Sequence, residues 1–197
     1  MKHALIVAHP NEESFTLAAA GAYRMEAEAL GHEVVLRDLY RLGFDPRLQH
    51  GEIPRAEGFA PGADVAAERR ALAGVDVFAF LYPLWFNAPP AMLVGYVQRV
   101  FAMGFGYGPI RQGRNQPLLE GRKLISFTTS GAPEEWLVEE GGLAALTNLF
   151  DRHVAGVCGL QPVDHVHFGS ILPRMPPGQA EACLGEVRRR VRAAFGG

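Results

Sequence analysis

The feature that most constrains the fold is a regular alternation between short, nearly uninterrupted apolar runs and longer stretches of helical periodicity. Strands buried on both faces of a sheet read as continuous apolar runs, and parallel strands need a crossover that is usually a helix. The apolar runs predict five strands, at Ala4–Ala8, Glu33–Leu36, Val75–Leu81, Lys123–Phe127 and Val163–Phe168. The pattern therefore predicts an α/β protein with a parallel sheet.

The segments between the apolar runs predict the helices. Ser14 can cap the start of the first helix, and Gly31 can follow its end in the left-handed conformation that glycine tolerates. Residues 103–121 contain five glycines and two prolines, which favours a loop. Helices are predicted at Ser14–Leu30, near Ala63–Ala73 within the Gly-, Pro- and Ala-rich region 43–73, at about Pro90–Ala102, at Gly142–Val157 and at Pro177–Phe195.

Connection rules narrow the arrangement of the five strands. Right-handed crossovers favour a doubly wound, flavodoxin-like sheet of order 2-1-3-4-5 with helices on both faces. A length of 197 residues favours one domain spanning residues 1–197. Ligands of such sheets bind outside the carboxyl ends of the strands, so functional residues are expected after Ala8, Leu81 and Phe127.

Composition and charge exclude several classes of protein. The formal net charge of −2 removes the usual electrostatic reason to expect a nucleic-acid partner. The first apolar run ends at Pro10 and is far shorter than the ~20 residues that a membrane-spanning helix needs. We see no secretory signal peptide, and we expect a cytoplasmic protein that does not cross a membrane.

The cysteines and the paired histidines predict no metal site or disulfide. Cys158 and Cys183 are the only cysteines, and neither belongs to a CxxC motif, so both are expected to be free thiols. His165 and His167 alternate on the fifth predicted strand, but a metal would need further ligands at tetrahedral reach. A structural role, or a role at the edge of a substrate site, is the expectation for these two histidines.

The loop after the first strand has the character of a phosphate site. Free backbone N–H groups and hydroxyls at a helix start bind anions, and His9, Ser14 and Thr16 supply further polar groups. Neither the GxGxxG fingerprint nor the GxxxxGK[ST] motif is present. An ordinary capped helix explains the same residues.

The loops after the third and fourth predicted strands are unusual in different ways. Trp85 and Phe86 stand just beyond a strand end, where large aromatic side chains suit a planar ligand ring or, alternatively, core or subunit packing. Residues 128–131 combine three hydroxyls with a glycine, which allows a ligand to approach the backbone closely. Taken alone, the second of these loops is also typical of ordinary turns.

Together the loops resemble the flavodoxin-like NAD(P)H:quinone oxidoreductase family, the group that includes DT-diaphorase and its bacterial relatives. The resemblance covers about residues 3–160, and four motifs in order at family spacing make it specific. The matching segments are Ala8-His9-Pro10 with Ser14-Phe15, Pro83-Leu84-Trp85-Phe86, Arg99-Val100-Phe101 with Gly104-Phe105-Gly106-Tyr107, and Thr128-Thr129-Ser130-Gly131.

The resemblance implies an NAD(P)H dehydrogenase (quinone). Hydride would pass from NAD(P)H through a flavin to a quinone-type acceptor by a ping-pong mechanism, with FAD favoured over FMN. The protein would form a homodimer, and its partners would be the small-molecule quinone and NAD(P)H. A flavin-binding ancillary subunit of a membrane potassium-efflux transporter and an azo- or nitro-compound reductase are the alternatives within this resemblance. A one-electron flavodoxin carrier fits less well, because flavodoxins are strongly acidic.

The resemblance also implies a role for each motif. The flavin phosphates would be held by His9, Ser14, Phe15 and Thr16. The isoalloxazine ring would lie along Pro83, Leu84, Trp85 and Phe86, and its polar edge would bond to Thr128, Thr129, Ser130 and Gly131. The substrate pocket would be lined by Phe105 and Tyr107 from the second subunit.

One departure from the better-known members concerns proton delivery. Those members carry a Tyr and then a His after the third loop, and here Trp136 and Gly142 stand at these positions. Neither residue can relay a proton as Tyr or His can. Trp136 is retained as a flavin contact, no catalytic side chain is assigned, and the proton source is left open.

Overall fold

The chain forms a parallel sheet of five strands in the order β2-β1-β3-β6-β7, in a computed structural model that describes residues 1–54 and 59–197. Counted along the chain, the five sheet strands have the predicted order 2-1-3-4-5, and all four neighbouring pairs are parallel. The strands are β1 Lys2–Val7, β2 Glu33–Asp38, β3 Val77–Pro83, β6 Lys123–Thr129 and β7 Gln161–Phe168. The third strand begins two residues later than predicted and continues into the expected loop.

Residues of the central strands alternate between two apolar clusters, because successive side chains of a strand point to opposite faces. Val77, Ala79 and Leu81 belong to the cluster that contains residues of the first and last helices. Phe78 and Phe80 belong to a second cluster with residues of the intervening helices. The sheet is therefore covered on both faces, as a near-continuous apolar β3 predicts.

The helices follow the predicted pattern with two corrections. The helices are α1 Phe15–Ala29, α2 Ala63–Ala71, α3 Ala91–Val100, α4 Glu134–Glu139, α5 Gly142–Leu146, α6 His153–Cys158 and α7 Pro177–Phe195, with a 3-10 turn at His50–Glu52. The short helix α4 was not predicted. The predicted helix Gly142–Val157 is also not uniform, because a π turn at Thr147–Arg152 joins α5 to α6.

The expectation of a loop over residues 103–121 was wrong. This region contains an antiparallel ribbon of β4 Tyr107–Arg111 and β5 Arg114–Pro117. Gln112 and Gly113 form its turn and both have positive φ, as a two-residue hairpin turn requires. Within the region 43–73, residues 55–58 lie outside the described part of the chain.

Buried charges tie the helices of the second face together. The Arg99 guanidinium donates to both carboxylate oxygens of Glu52 at 2.7 Å and to those of Asp64 at 2.7 and 3.0 Å. We call these three residues the Arg99 cluster. Nearby, Glu68 accepts hydrogen bonds from Arg37 and from the buried hydroxyl of Tyr96.

None of the described helices combines the length and apolar character that crossing a membrane requires.

Candidate functional site

The neighbouring strands β3 and β6 end at the same edge of the sheet, and the segments that follow them line a cleft of about 490 Å³. Cavities that bind small molecules are typically of this size and mix apolar walls with a few polar groups. Its described lining consists of Leu84, Phe86, Asn87, Ser130, Gly131, Ala132, Trp136, Leu137, Glu140 and Gly142. Members of the second and third predicted motifs are therefore brought together with Trp136.

The first loop turns directly into helix α1. Ser14 is the N-cap residue, and its hydroxyl accepts the Leu17 N–H at 3.3 Å. No described residue accepts a hydrogen bond from the backbone N–H groups of Phe15 or Thr16. The Phe15 ring packs against Phe168 with centroids 5.9 Å apart, and Thr16 is buried. The backbone amides of these two residues, together with the Ser14 hydroxyl, are the groups suited to an anion.

His9 links the first loop to the second. When its Nδ1 accepts the Asn11 backbone N–H at 3.0 Å, the ring proton of the neutral form is on Nε2; when Nδ1 donates to the Asn11 carbonyl at 3.2 Å, Nε2 is an acceptor. Burial is the main reason why the pKa of His9 is lowered, which favours the neutral form. The ring lies 5.9 Å from the Trp85 ring, measured between centroids. With the proton on Nε2, His9 can donate from this nitrogen to a ligand near Trp85.

Arg41 holds the first loop in place, and sequence reasoning missed it. Its guanidinium donates to the carbonyl oxygens of His9 at 2.7 Å and Pro10 at 2.8 Å. A third bond, at 3.0 Å, goes to Asp38 at the end of β2. These contacts fix the loop carbonyls toward Arg41, so the strand end β2 helps to shape the site.

The second loop is a tight turn in an uncommon backbone conformation. Trp85 and Ala88 exchange two backbone hydrogen bonds of 3.1 Å, and Phe86 and Asn87 between them have φ of 53° and 55°. Residues other than glycine rarely adopt such angles, and they cluster at functional sites. The turn leaves the Phe86 side chain fully exposed and Trp85 45% exposed.

Asn87 connects this turn to helix α5. Its Nδ2 donates to the Gly142 carbonyl at 3.0 Å, while its buried Oδ1 has no partner among the described residues. An added Cβ on Gly142 would lie 2.8 Å from that Nδ2. The close approach explains why a glycine stands here, and it leaves Oδ1 as an unused acceptor beside the cleft.

The third loop begins a chain of buried hydrogen bonds that runs across β6 and β7. The Ser130 hydroxyl lies 2.9 Å from Nε2 of His167, and the Thr128 hydroxyl lies 2.8 Å from Nδ1 of the same ring. Thr128 also lies 2.9 Å from Nε2 of His165, whose Nδ1 contacts the Asp151 carboxylate. We call Asp151, His165, Thr128, His167 and Ser130 the histidine chain.

The histidine chain has one end in the cleft and the other near solvent. Ser130 lines the cleft, whereas His165 and Asp151 line a smaller surface pocket together with residues of β6 and β7. Burial, with a smaller effect of His165, lowers the pKa of His167 to about 4, so this ring is neutral near pH 7. Both predicted roles of the two histidines, structural and at a site edge, fit this placement.

Phe105 and Tyr107 do not line the cleft of their own chain. The Phe105 ring packs 5.6 Å from the Phe101 ring, and Tyr107 lines a separate apolar pocket with Phe101 and Cys158. Any contact of these two residues with a cleft therefore requires a second copy of the chain. No three His, Cys, Asp or Glu side chains within residues 1–54 and 59–197 are grouped as metal ligands.

The residues that sequence reasoning missed are mostly those that support the loops. Arg41 and Asn87 hold loop backbones, and Asp151 joins the histidine chain from a π turn that no sequence pattern indicated. A signal for part of the chain did exist. In the predicted strand order, His165 and His167 lie beside the strand that carries Ser126 and Thr128.

Comparison with known proteins agrees with this architecture. The family described as flavodoxin-like fold matches residues 1–193. The chain is 32% identical over 172 residues to the protein named "Uncharacterized NAD(P)H oxidoreductase" from Haemophilus influenzae, covering 87% of this chain and 85% of that protein. It is 26% identical to NAD(P)H dehydrogenase (quinone) 1 from Rattus norvegicus, covering 96% of this chain and 76% of the relative. A solved NAD(P)H:quinone oxidoreductase from Methanothermobacter marburgensis superposes with a TM-score of 0.85 at 27% identity, covering 99% and 96% of the two chains.

Proposed function

The chain belongs to the flavodoxin-like fold family, and from that premise we propose that it is a flavin-dependent NAD(P)H dehydrogenase acting on quinone-type acceptors. The observation that best supports this function is the cleft, in which an exposed aromatic turn, a hydroxyl-bearing loop and Trp136 meet at the carboxyl edge of the sheet. The similarity to named NAD(P)H oxidoreductases over most of the chain supports the same activity.

The residues present fit a flavin. The unpartnered N–H groups of Phe15 and Thr16, with the Ser14 hydroxyl and His9 Nε2, suit the phosphates. The exposed Trp85 and Phe86 rings suit contact with a planar ring, and the free Oδ1 of Asn87 offers an acceptor. When bound, a flavin accepts hydride from NAD(P)H and passes it to the acceptor.

The protein's part in the reaction is positioning and exclusion of water. Phe86 and Trp136 form apolar walls that can press a nicotinamide or quinone ring into a stacked arrangement. Holding two reacting rings close together supplies much of the acceleration of such a transfer. Because one cleft serves both substrates in this proposal, they bind in turn and the kinetics are ping-pong.

The finer parts of the proposal are FAD as the flavin and a homodimer as the assembly. Several large apolar side chains are exposed on one copy, among them Phe86 and Trp136 of the cleft and Leu149 nearby in the chain. Exposed apolar patches mark contacts, and a two-fold dimer is the commonest closed assembly. In a dimer, Phe105 or Tyr107 of the partner subunit could complete the cleft.

The deciding experiment measures the cofactor and the kinetics of one preparation. We expect flavin absorbance, about one flavin per chain, FAD on heat release, and parallel double-reciprocal lines for NAD(P)H at several fixed concentrations of a soluble para-quinone. A colourless protein that takes up neither FAD nor FMN would contradict the proposal. Intersecting lines would be consistent with the activity but would contradict binding of both substrates in turn at one cleft.

Ser14→Ala tests the phosphate site separately. Loss of one hydrogen bond to a charged group is worth ~1.5–3 kcal/mol, so flavin affinity should fall roughly ten- to hundredfold. Ser126→Ala is the comparison variant, because its hydroxyl bonds Asp151 and does not line the cleft, and it should leave flavin affinity unchanged. Equal flavin affinity in Ser14→Ala and the unchanged protein would place the phosphates elsewhere.

A further inference from the structure

We propose that His165 and Asp151 store one proton, and that Thr128, His167 and Ser130 pass it to the molecule reacting in the cleft. This inference rests on the proposed function, because a quinone that receives a hydride needs one further proton to become a hydroquinone. Ser130 is the only one of the five residues that lines the cleft, and Thr128, which the resemblance places at the flavin edge, is fully buried. The other four act through it and are positioning residues.

The cleft itself offers little else that could supply this proton. Trp136 and Gly142 stand where acid–base residues are found in the better-known relatives, and neither can donate to a reacting oxygen as Tyr or His can. Among the described residues lining the cleft, Glu140 is the only carboxylic acid, and it is exposed. The histidine chain is the other titratable system that reaches the cleft.

The direction of the hydrogen bonds can be worked out from the cleft end. The Ser130 hydroxyl donates to the Ala132 carbonyl at 2.8 Å, so its oxygen accepts from Nε2 of His167. A neutral His167 that donates from Nε2 accepts at Nδ1, and the donor there is the Thr128 hydroxyl. Thr128 has then used its proton and must accept from Nε2 of His165.

This direction requires an extra proton at the far end. His165 donates from Nε2 and contacts the Asp151 carboxylate through Nδ1, so it carries a proton on both nitrogens. Asp151 also accepts the Ser126 hydroxyl at 2.9 Å on its other oxygen, as an ionised carboxylate does. With Asp151 ionised, this arrangement makes the far end an imidazolium–carboxylate pair. Its net charge is zero, which makes burial of the pair tolerable.

Discharge of the store is a series of four proton transfers without electron movement. The proton on Nε2 of His165 moves to Thr128, the Thr128 proton to Nδ1 of His167, and the Nε2 proton of His167 to Ser130. The Ser130 hydroxyl turns from the Ala132 carbonyl toward the cleft and gives its own proton to the acceptor there. Afterwards His165 is neutral, its Nδ1 still donates to ionised Asp151, and the five residues together have lost one proton.

The discharged arrangement also satisfies every hydrogen bond of the chain. Ser130 now donates to His167 instead of to Ala132, whose carbonyl keeps the Ser170 N–H at 2.9 Å. The same four transfers in reverse refill the store from water in the cleft once product has left. Two complete bonding arrangements that differ by one proton are what a store requires.

Other charged and titratable groups around the pair bear on its proton affinity. Arg152 lines the same surface pocket from the π turn, and Asp164 of β7 lines it while paired with Arg190 of α7 at 2.9 Å. From β3, the buried hydroxyl of Tyr82 has its pKa raised by burial and, to a smaller extent, by Asp151. Ser126, the remaining polar contact, carries no charge.

The first test reads the proton positions directly by ¹⁵N NMR of histidine in the full chain, with and without flavin. At pH 7 we expect His165 protonated on both nitrogens and His167 protonated on Nε2 alone. Thr128→Val, which keeps the side-chain shape but not the hydroxyl, should change the signals of both rings. Tyr23→Phe removes a buried hydroxyl that bonds His3 and does not belong to the histidine chain, and it should leave the His167 signals unchanged. A neutral His165 or a charged His167 at pH 7 would overturn the proposal.

The second test separates proton delivery from hydride transfer, per bound flavin, by rapid mixing. Thr128→Val should slow quinone reduction by the reduced protein roughly a hundredfold, a typical acid–base contribution, while reduction by NAD(P)H stays near normal. Thr128→Ser should restore the rate, and Tyr23→Phe, which removes a buried hydroxyl outside the histidine chain, should not change it. Normal quinone reduction in Thr128→Val, or a comparable loss in Glu140→Gln alone, would overturn the proposal.

The two proposals fail in different ways. Absence of flavin binding or of NAD(P)H oxidation in the unchanged protein would contradict the proposed function and, with it, proton delivery. In that case the NMR measurement would still test the proton positions, because it does not depend on activity. Normal oxidoreductase activity with the wrong histidine protonation would contradict only the store.

Discussion

The Arg99 cluster and the histidine chain are both buried polar networks, but they are built differently. Arg99 makes four charge-assisted hydrogen bonds to two carboxylates, and it also donates to the Asp45 carbonyl. The histidine chain consists mainly of neutral groups, and its last hydroxyl opens onto the cleft. A network of groups that only donate or only accept holds elements together, whereas a network of groups that do both can pass a proton to a ligand.

The donors and acceptors of the two networks explain this difference. A guanidinium only donates and a carboxylate only accepts, so the Arg99 cluster has one bonding arrangement. Hydroxyls and imidazoles both donate and accept, so the histidine chain has two bonding arrangements. The Arg99 cluster is therefore expected to matter mainly for stability, and the histidine chain mainly for chemistry.

The largest expected effect is that of Arg99→Met. It leaves Glu52, which is 4% exposed, without its charge partner. Breaking a buried pair in this way destabilises a protein by ~3–5 kcal/mol. Urea unfolding measures the change. Arg24→Met removes an exposed i,i+4 pair with Glu28 and should change the free energy of unfolding by less than ~0.5 kcal/mol. Similar losses in both variants would contradict the comparison.

The next effect is a loss of stability in acid, which is expected in a higher pH range for the buried histidines than for the Arg99 cluster. Burial is the main reason why the pKa of His167, and that of His3 beside Tyr23, are lowered from 6.5 to about 4. The unfolded chain therefore takes up these protons first. The stabilisation is fully present above pH 6.5 and is lost as pH falls toward 4, by up to ~3 kcal/mol per histidine.

Urea unfolding of His167→Gln and His3→Gln between pH 7 and 4 tests this expectation, since each variant should lose less stability in that range than the unchanged protein. The pKa of Glu52 is lowered by Arg99, so the contribution of the Arg99 cluster is present above pH 4.5 and is lost only below it. An unchanged pH dependence in both histidine variants would show that neither ring is held neutral.

A smaller effect is expected from Tyr96→Phe. The Tyr96 hydroxyl donates to Glu68 at 2.9 Å, and Arg37 still neutralises that carboxylate in the variant. The loss should be about 2 kcal/mol, the value of one hydrogen bond to a charged group. Unfolding in urea is again the measurement. A loss as large as that of Arg99→Met would mean that the bond from Tyr96 to Glu68 holds α2 and α3 together, and not the Arg99–Asp64 ion pair.

The smallest effect on the free energy of unfolding is expected from Thr128→Ser, which separates the role of the Thr128 hydroxyl from that of its methyl group. The variant keeps the hydroxyl and every hydrogen bond of the histidine chain, and it removes one buried methyl group. The free energy of unfolding should fall by about 1 kcal/mol. The histidine NMR signals should stay as they are. A rearranged chain in this variant would show that side-chain packing, and not the hydroxyl, determines the proton positions.

The sequence predicted the sheet well because burial on both faces leaves a strong mark. The continuous apolar run of β3 and the capping residues of α1, Ser14 and Gly31, are local features that indicate structure directly. The β4–β5 ribbon was missed for a local reason as well. Its turn has Gln112 at a position of positive φ where Asn, Asp or Gly is usual, and glycines hid the strand pattern.

The candidate site was predictable only in its loops. Motifs at strand ends identified Ser130 and Phe86, because the carboxyl edge of a parallel sheet gathers such loops. Contacts between distant segments left no local mark. Arg41 reaches back 31 residues to Pro10, and the bond from Asp151 to His165 depends on a π turn.

That π turn makes the chain unusually sensitive to length at one place. A π turn can be regarded as an α-helix that has gained one residue, and each residue of an α-helix advances the direction of the side chains by about 100°. Deleting a residue beside the exposed Leu149 would favour a regular helix and rotate Asp151 away from Ser126 and His165, whereas substituting Leu149 would not. An evolutionary relative one residue shorter here is expected to lack the Asp–His pair, even where both residue types remain in its sequence.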